Sequence, residues 1–72
     1  MAKLEHGTRE EHLDTLKRAK AGGLSYIWSG DIRRNAYLRE NLQFAIDEGI
    51  VEAEFVEHYD AQESGWNIKW MD

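Results

Sequence analysis

The stretch LRENLQFAIDEGIVEAEF, residues 38–55, changes its hydrophobic period half-way along. Apolar residues first fall at 38, 42, 45 and 46, with Tyr37 and Phe44 on an adjacent flank, which is the 3.6-residue spacing of an amphipathic helix. After Gly49 the period becomes two: Val51, Ala53, Phe55 and Tyr59 share one face, and Glu52, Glu54, Val56 and His58 share the other. Gly49 can take the left-handed conformation that ends a helix without steric cost. A helix that stops and runs into a strand is the reading from which the rest of the fold follows.

Downstream, Trp66, Ile68 and Trp70 alternate with Asn67 and Lys69, so a second strand pairs with the first, and Lys69 can lie across from a glutamate. The polar, glycine-ended DAQESG, residues 60–65, is expected to be the hairpin loop. Upstream, Thr8 and Glu11 have the spacing of a capping box, followed by acids in the first helical turn and bases in the last. Leu13, Leu16 and Ala19, with the stem of Lys20, form the apolar stripe of this first helix, and Gly22-Gly23 ends it. LSYIW, residues 24–28, reads as a short strand. Residues 29–48 are one helix or two: Asn35 is a good N-cap and favours a break, whereas the lack of a turn glycine favours continuity. The expected class is α+β, with the order helix, short strand, helix (or two), β-hairpin.

Seventy-two residues make one domain, 1–72, with residues 1–7 expected to be a loose N-terminus. No cysteine is present, so no disulfide or thiolate metal site holds it together, and three Trp, three Tyr and two Phe must supply much of the core. No apolar run approaches the roughly 20 residues that span a bilayer, and the start lacks a hydrophobic signal segment, so no membrane association and a cytoplasmic location are expected. The net charge of −5 is unevenly spread. Residues 1–40 hold eight Lys/Arg and six Asp/Glu, whereas residues 41–72 hold one Lys and eight Asp/Glu.

This order of elements resembles the winged helix-turn-helix family, over roughly residues 9–70. Within it, DEGIV, Asp47 to Val51, is similar to the passage from that family's third helix into its first wing strand. RRNA, residues 33–36, is also similar to lettering in very small phage-encoded winged-helix proteins. The resemblance implies a winged-helix-like domain with a regulatory, binding role. Two departures from the family bear on DNA binding and not on the fold: the segment 29–48 lacks the family's small residue and glycine turn, and the wing, 51–65, is acidic where a DNA-reading wing carries Lys or Arg.

Arg33, Arg34 and Arg39, with Asn41 and Gln43, form a polar helix face suited to phosphates, base edges or an acidic protein surface. Its plain alternative is a solvated face whose charges pair with Glu40 or with strand carboxylates. Glu52, Glu54, Glu57, Asp60 and Glu63 form an acidic stripe along the hairpin. Each exposed charge contributes about 1 kcal/mol at close range in water, so five acids offset most of what three arginines gain from DNA phosphates. Tyr37, Phe44 and Trp66 are candidate aromatic anchors, the alternative being core packing. His6, His12 and His58 match no metal-ligand spacing, no cofactor is expected, and no catalytic lettering appears, so an enzyme is not expected. The expectation is a small regulatory or inhibitory protein that binds a larger protein of the transcription or nucleic-acid-processing machinery by that protein's basic surface. The alternatives are a direct DNA-binding regulator acting as a homodimer, and a structural subunit of a larger assembly.

Overall fold

A computed structural model describes residues 4–60 and 63–71. The elements are α1 (Arg9–Ala21), β1 (Tyr26–Trp28), α2 (Ser29–Arg34), α3 (Ala36–Asp47), β2 (Val51–Val56) and β3 (Gly65–Trp70). The three strands form one antiparallel sheet in the order β1-β3-β2, so the last strand is central. The chain is an α+β domain with its helices packed on one face of that sheet.

Local chemistry sets the helix ends. The Thr8 hydroxyl accepts from the Glu11 N–H and the Glu11 carboxylate accepts from the Thr8 N–H, closing the capping box. At the other end Gly23 has φ 79°, and the N–H groups of Gly23 and Leu24 return to the carbonyls of Lys20 and Ala19. Gly49, at φ 71°, ends α3 in the same way, with Gly49 and Ile50 bonded back to Ile46 and Ala45. Both ends are left-handed glycine caps, whose crossed pairs satisfy carbonyls the helix leaves over. The break between α2 and α3 falls at Asn35, whose side chain accepts from the Leu38 N–H at 3.2 Å. A side-chain cap replaces the glycine turn, so residues 29–48 form two helices.

The hairpin register places Val51 opposite Trp70, Ala53 opposite Ile68 and Phe55 opposite Trp66, with Glu52 opposite Lys69 on the other face. The inner face meets Leu16, Ile32, Leu42, Phe44 and Ala45 to form the core with Val51 and Ile68. Apolar burial of this kind is the main stabilising term in so small a domain.

Three expectations are corrected. The hairpin connection spans residues 57–64 and not 60–65 (Ala61 and Gln62 lie outside the described residues), because Gly65 belongs to β3. A Cβ at Gly65 would lie 2.1 Å from the Ile27 carbonyl oxygen and 2.9 Å from the Tyr26 ring, so this glycine permits strand contact and makes no turn. The buried stripe of α1 runs through His12 and Leu16, leaving Leu13 exposed. Finally, residues 4–7 of the terminus expected to be loose lie along α3, where the Glu5 and His6 N–H groups donate to the Glu40 carboxylate; residues 1–3 lie outside the described residues.

Candidate functional site

The acidic hairpin stands in solvent. Glu52, Glu54, Glu57, Asp60 and Glu63 are all exposed. Alternation within β2 turns Glu52 and Glu54 away from the helices, and the connection carries the other three. Among the described residues Glu52, Glu54, Glu57 and Glu63 form no ion pair, and Lys69, opposite Glu52, is the cation their face carries. The connection is tied at its base. The Ser64 hydroxyl accepts from the His58 N–H at 2.9 Å, and the Ser64 carbonyl accepts from the Ser29 N–H at 2.8 Å. Ser64, which is buried, thereby anchors the acids to the start of α2.

The arginine cluster divides. Arg33 is exposed and lines a groove of about 330 Å³ with Phe55, Glu57, Tyr59 and Trp66, so a cation from α2 reaches the hairpin. Arg34 is exposed beside it, and among the described residues neither forms an ion pair. Arg39 donates to the Arg33 carbonyl at 3.1 Å and, with Gln43, lines a second cleft of about 400 Å³ between the N-terminal segment and α3. Gln43 donates to Asp47 at 2.8 Å.

Asn41 does not share this surface. It is buried, and its side-chain amide donates to the His12 carbonyl at 3.2 Å and reaches His12 Nδ1 at 2.9 Å. The 3.6-residue turn rotates position 41 toward α1 while 39 and 43 face solvent. Phe44 is also buried, which removes it as an exposed anchor, and Tyr37 and Trp66 are half-buried. The aromatic side chains that do stand out among the described residues are Trp28, Phe55 and Tyr59.

What the sequence did not reveal is the polar centre under this surface. His12 is fully buried, with its ring between those of Tyr37 and Phe44 at centroid distances of 4.7 and 5.4 Å. Those two aromatics are seven apart on α3, and two helical turns span about 10.5 Å, enough for one ring between them. The His12 carbonyl can only accept, so the Asn41 atom facing it is the amide nitrogen. Nδ1 therefore accepts as well, which puts the ring proton on Nε2, facing Glu40 Oε2 at 2.8 Å. Burial raises the Glu40 carboxyl, but the Glu5 N–H, the His12 ring and the His6 N–H outweigh it and hold the group down at about 2. Tyr37 extends the network, with its hydroxyl 2.7 Å from that of Thr15 and 3.2 Å from the Glu11 carbonyl. Every one of these bonds is internal, so the arrangement docks α1 on α3 and presents no free reactive group.

Among the described residues no three His, Asp or Glu side chains converge as a metal site, and no helix is long and apolar enough to cross a membrane. No protein-family model, curated protein or solved structure matches this chain.

Proposed function

We propose that this chain is a winged-helix-like, non-enzymatic binding module. In this reading it regulates or inhibits a larger protein of the transcription or nucleic-acid-processing machinery by docking its acidic hairpin on a basic surface. The order α1-β1-α2-α3-β2-β3 and the sheet order β1-β3-β2 support the winged-helix reading, with α3 in the recognition position and β2-β3 as the wing. The observation that carries the functional reading is the exposure of the five hairpin acids beside one lysine. A duplex would meet the wing as like charge, and juxtaposed like charges cost several kcal/mol of discrimination against a partner. A basic protein surface meets the same groups favourably, and Arg33 beside Glu57 fixes register through its planar fork.

The test is capture of the partner by wild type and by a Glu52→Lys, Glu54→Lys, Glu57→Lys variant with an unchanged circular dichroism spectrum. Loss of capture in the variant is expected, and retained capture overturns the reading. A second reading, direct DNA binding, draws on the exposure of Arg33, Arg34, Arg39 and Gln43 along α2 and α3. It requires binding that falls steeply with salt as counterions are released.

A further inference from the structure

The face of the sheet turned away from the helices carries more than acids. Register places its side chains in cross-strand rows: Glu52 beside Lys69, then Glu54, Asn67 and Tyr26, then Val56, Gly65 and Trp28. Trp28 is 48 % exposed, an unusual cost for the largest apolar side chain in a domain that has few to spare. Its ring is nevertheless held in place: it meets Tyr26 edge-on, at 5.4 Å and 83°. Tyr26 lies over Gly65, and its hydroxyl donates to the Glu63 carbonyl at 2.6 Å. Glu52, Glu54, Asn67 and Lys69 border a depression of about 180 Å³, and register sets Asn67 opposite Tyr26. An uncovered surface with a fixed indole at one side and unpaired carboxylates at the other is complementary to a planar cation with apolar faces.

Resting on the reading above, we infer that this outer sheet face is the docking surface, and that its occupant is an arginine-bearing extended segment of the partner protein. One arginine stacks on the Trp28 indole, and a second reaches Glu54 across the sheet. Adjacent strands lie about 4.8 Å apart, with a rise of about 3.3 Å per residue, so Trp28 on β1 and Glu54 on β2, one row apart, are about 12 Å apart. Four residues of extended chain cover that span. Arginine is preferred to lysine because its guanidinium is planar and weakly hydrated, and it stacks on an aromatic ring while donating to a carboxylate. Lys69 sits within this surface and opposes a basic occupant.

The test uses two synthetic peptides, one of alternating arginine and glycine and one of alternating lysine and glycine, titrated by calorimetry at low salt. Wild type is expected to favour the arginine peptide by roughly two- to fivefold, the range of an exposed cation–π contact. Trp28→Ala should abolish that preference, Trp28→Phe should keep part of it, and Glu52→Gln with Glu54→Gln should weaken both peptides. Lys69→Gln, which leaves the indole untouched, should tighten both. Equal binding of the two peptides by wild type, no binding of either, or a preference unchanged in Trp28→Ala overturns the inference. If the charge-reversed hairpin loses the captured partner while Trp28→Ala keeps it, the indole plays no part in docking, so the inference fails while the acidic-docking reading stands. If the charge-reversed hairpin keeps it, both fail.

Discussion

His12 Nε2 lies 2.8 Å from Glu40 Oε2 at the contact between α1 and α3, and it is the one large side chain among the described residues with essentially no exposure. Two helices and the N-terminal segment meet at this pair, since the Glu40 carboxylate also accepts from the backbone of Glu5 and His6. A polar residue at a core position is stable there because each of its ring nitrogens has a partner.

Replacing His12 should therefore cost more than the loss of an imidazole from a surface. His12→Ala removes a ring stacked on two others and takes one hydrogen-bond partner each from the Asn41 amide and the Glu40 carboxylate, which keep their bonds to the backbone. Cavity and lost-bond terms together come to about 3 kcal/mol. In a domain of this length that lowers Tm by about 15 °C. Thermal denaturation followed by circular dichroism checks it, and a change of only a degree or two contradicts the buried network.

Acid should loosen the same contact. The Glu40 pKa in the folded chain is lowered from the ordinary 4.5 to about 2, so its contribution is complete above 4.5 and is lost as pH falls from 4.5 towards 2. The sign follows from proton binding: in that window the unfolded chain binds more protons at this group than the folded one does. Glu40→Gln lacks this titration. The stability difference between wild type and Glu40→Gln, from urea midpoints at a series of pH values, should shrink across the window. A constant difference contradicts the assignment.

Gly65 should resist any side chain. An added Cβ would collide with the Ile27 carbonyl oxygen and the Tyr26 ring, and the first is backbone that cannot swing aside. Gly65→Ala should push β1 from β3 and cost about 2 kcal/mol, typical of overpacking. Hydrogen exchange should show lost protection at Ile68, whose N–H donates to the Ser25 carbonyl at 2.8 Å. Unchanged protection there contradicts the tight β1–β3 approach.

Much of this architecture is legible in the sequence because it is local. The Thr8–Glu11 box, the stops at Gly23 and Gly49, and the change of period after Gly49 depend on neighbours within a few residues, and all lie where the sequence places them. The helix break at Asn35 was open because a side-chain cap and a continuous helix share the same letters. Asn41 reads as part of the polar face, and the burial of His12 goes unread, for a different reason: periodicity sorts residues by hydrophobicity, and these two are polar. Their burial depends on partners 28 and 29 residues apart in the chain, which no window along one helix contains. Gly65 reads as a turn glycine in the sequence because its requirement, the approach of Ile27 and Tyr26, is likewise non-local. For the candidate surface, alternation along β2 exposes Glu52 and Glu54, whereas the letters around Trp28 do not tell a core tryptophan from one that stands exposed on the sheet face.

The proposed function requires that the acidic hairpin turn this scaffold away from nucleic acid and towards polypeptide. Fluorescence anisotropy of labelled duplex DNA, titrated with the wild-type chain at about 0.15 M salt, tests it most directly. No saturable binding is the expected result. Tight binding that weakens steeply with added salt and disappears in an Arg33→Ala, Arg34→Ala, Arg39→Ala variant would contradict it.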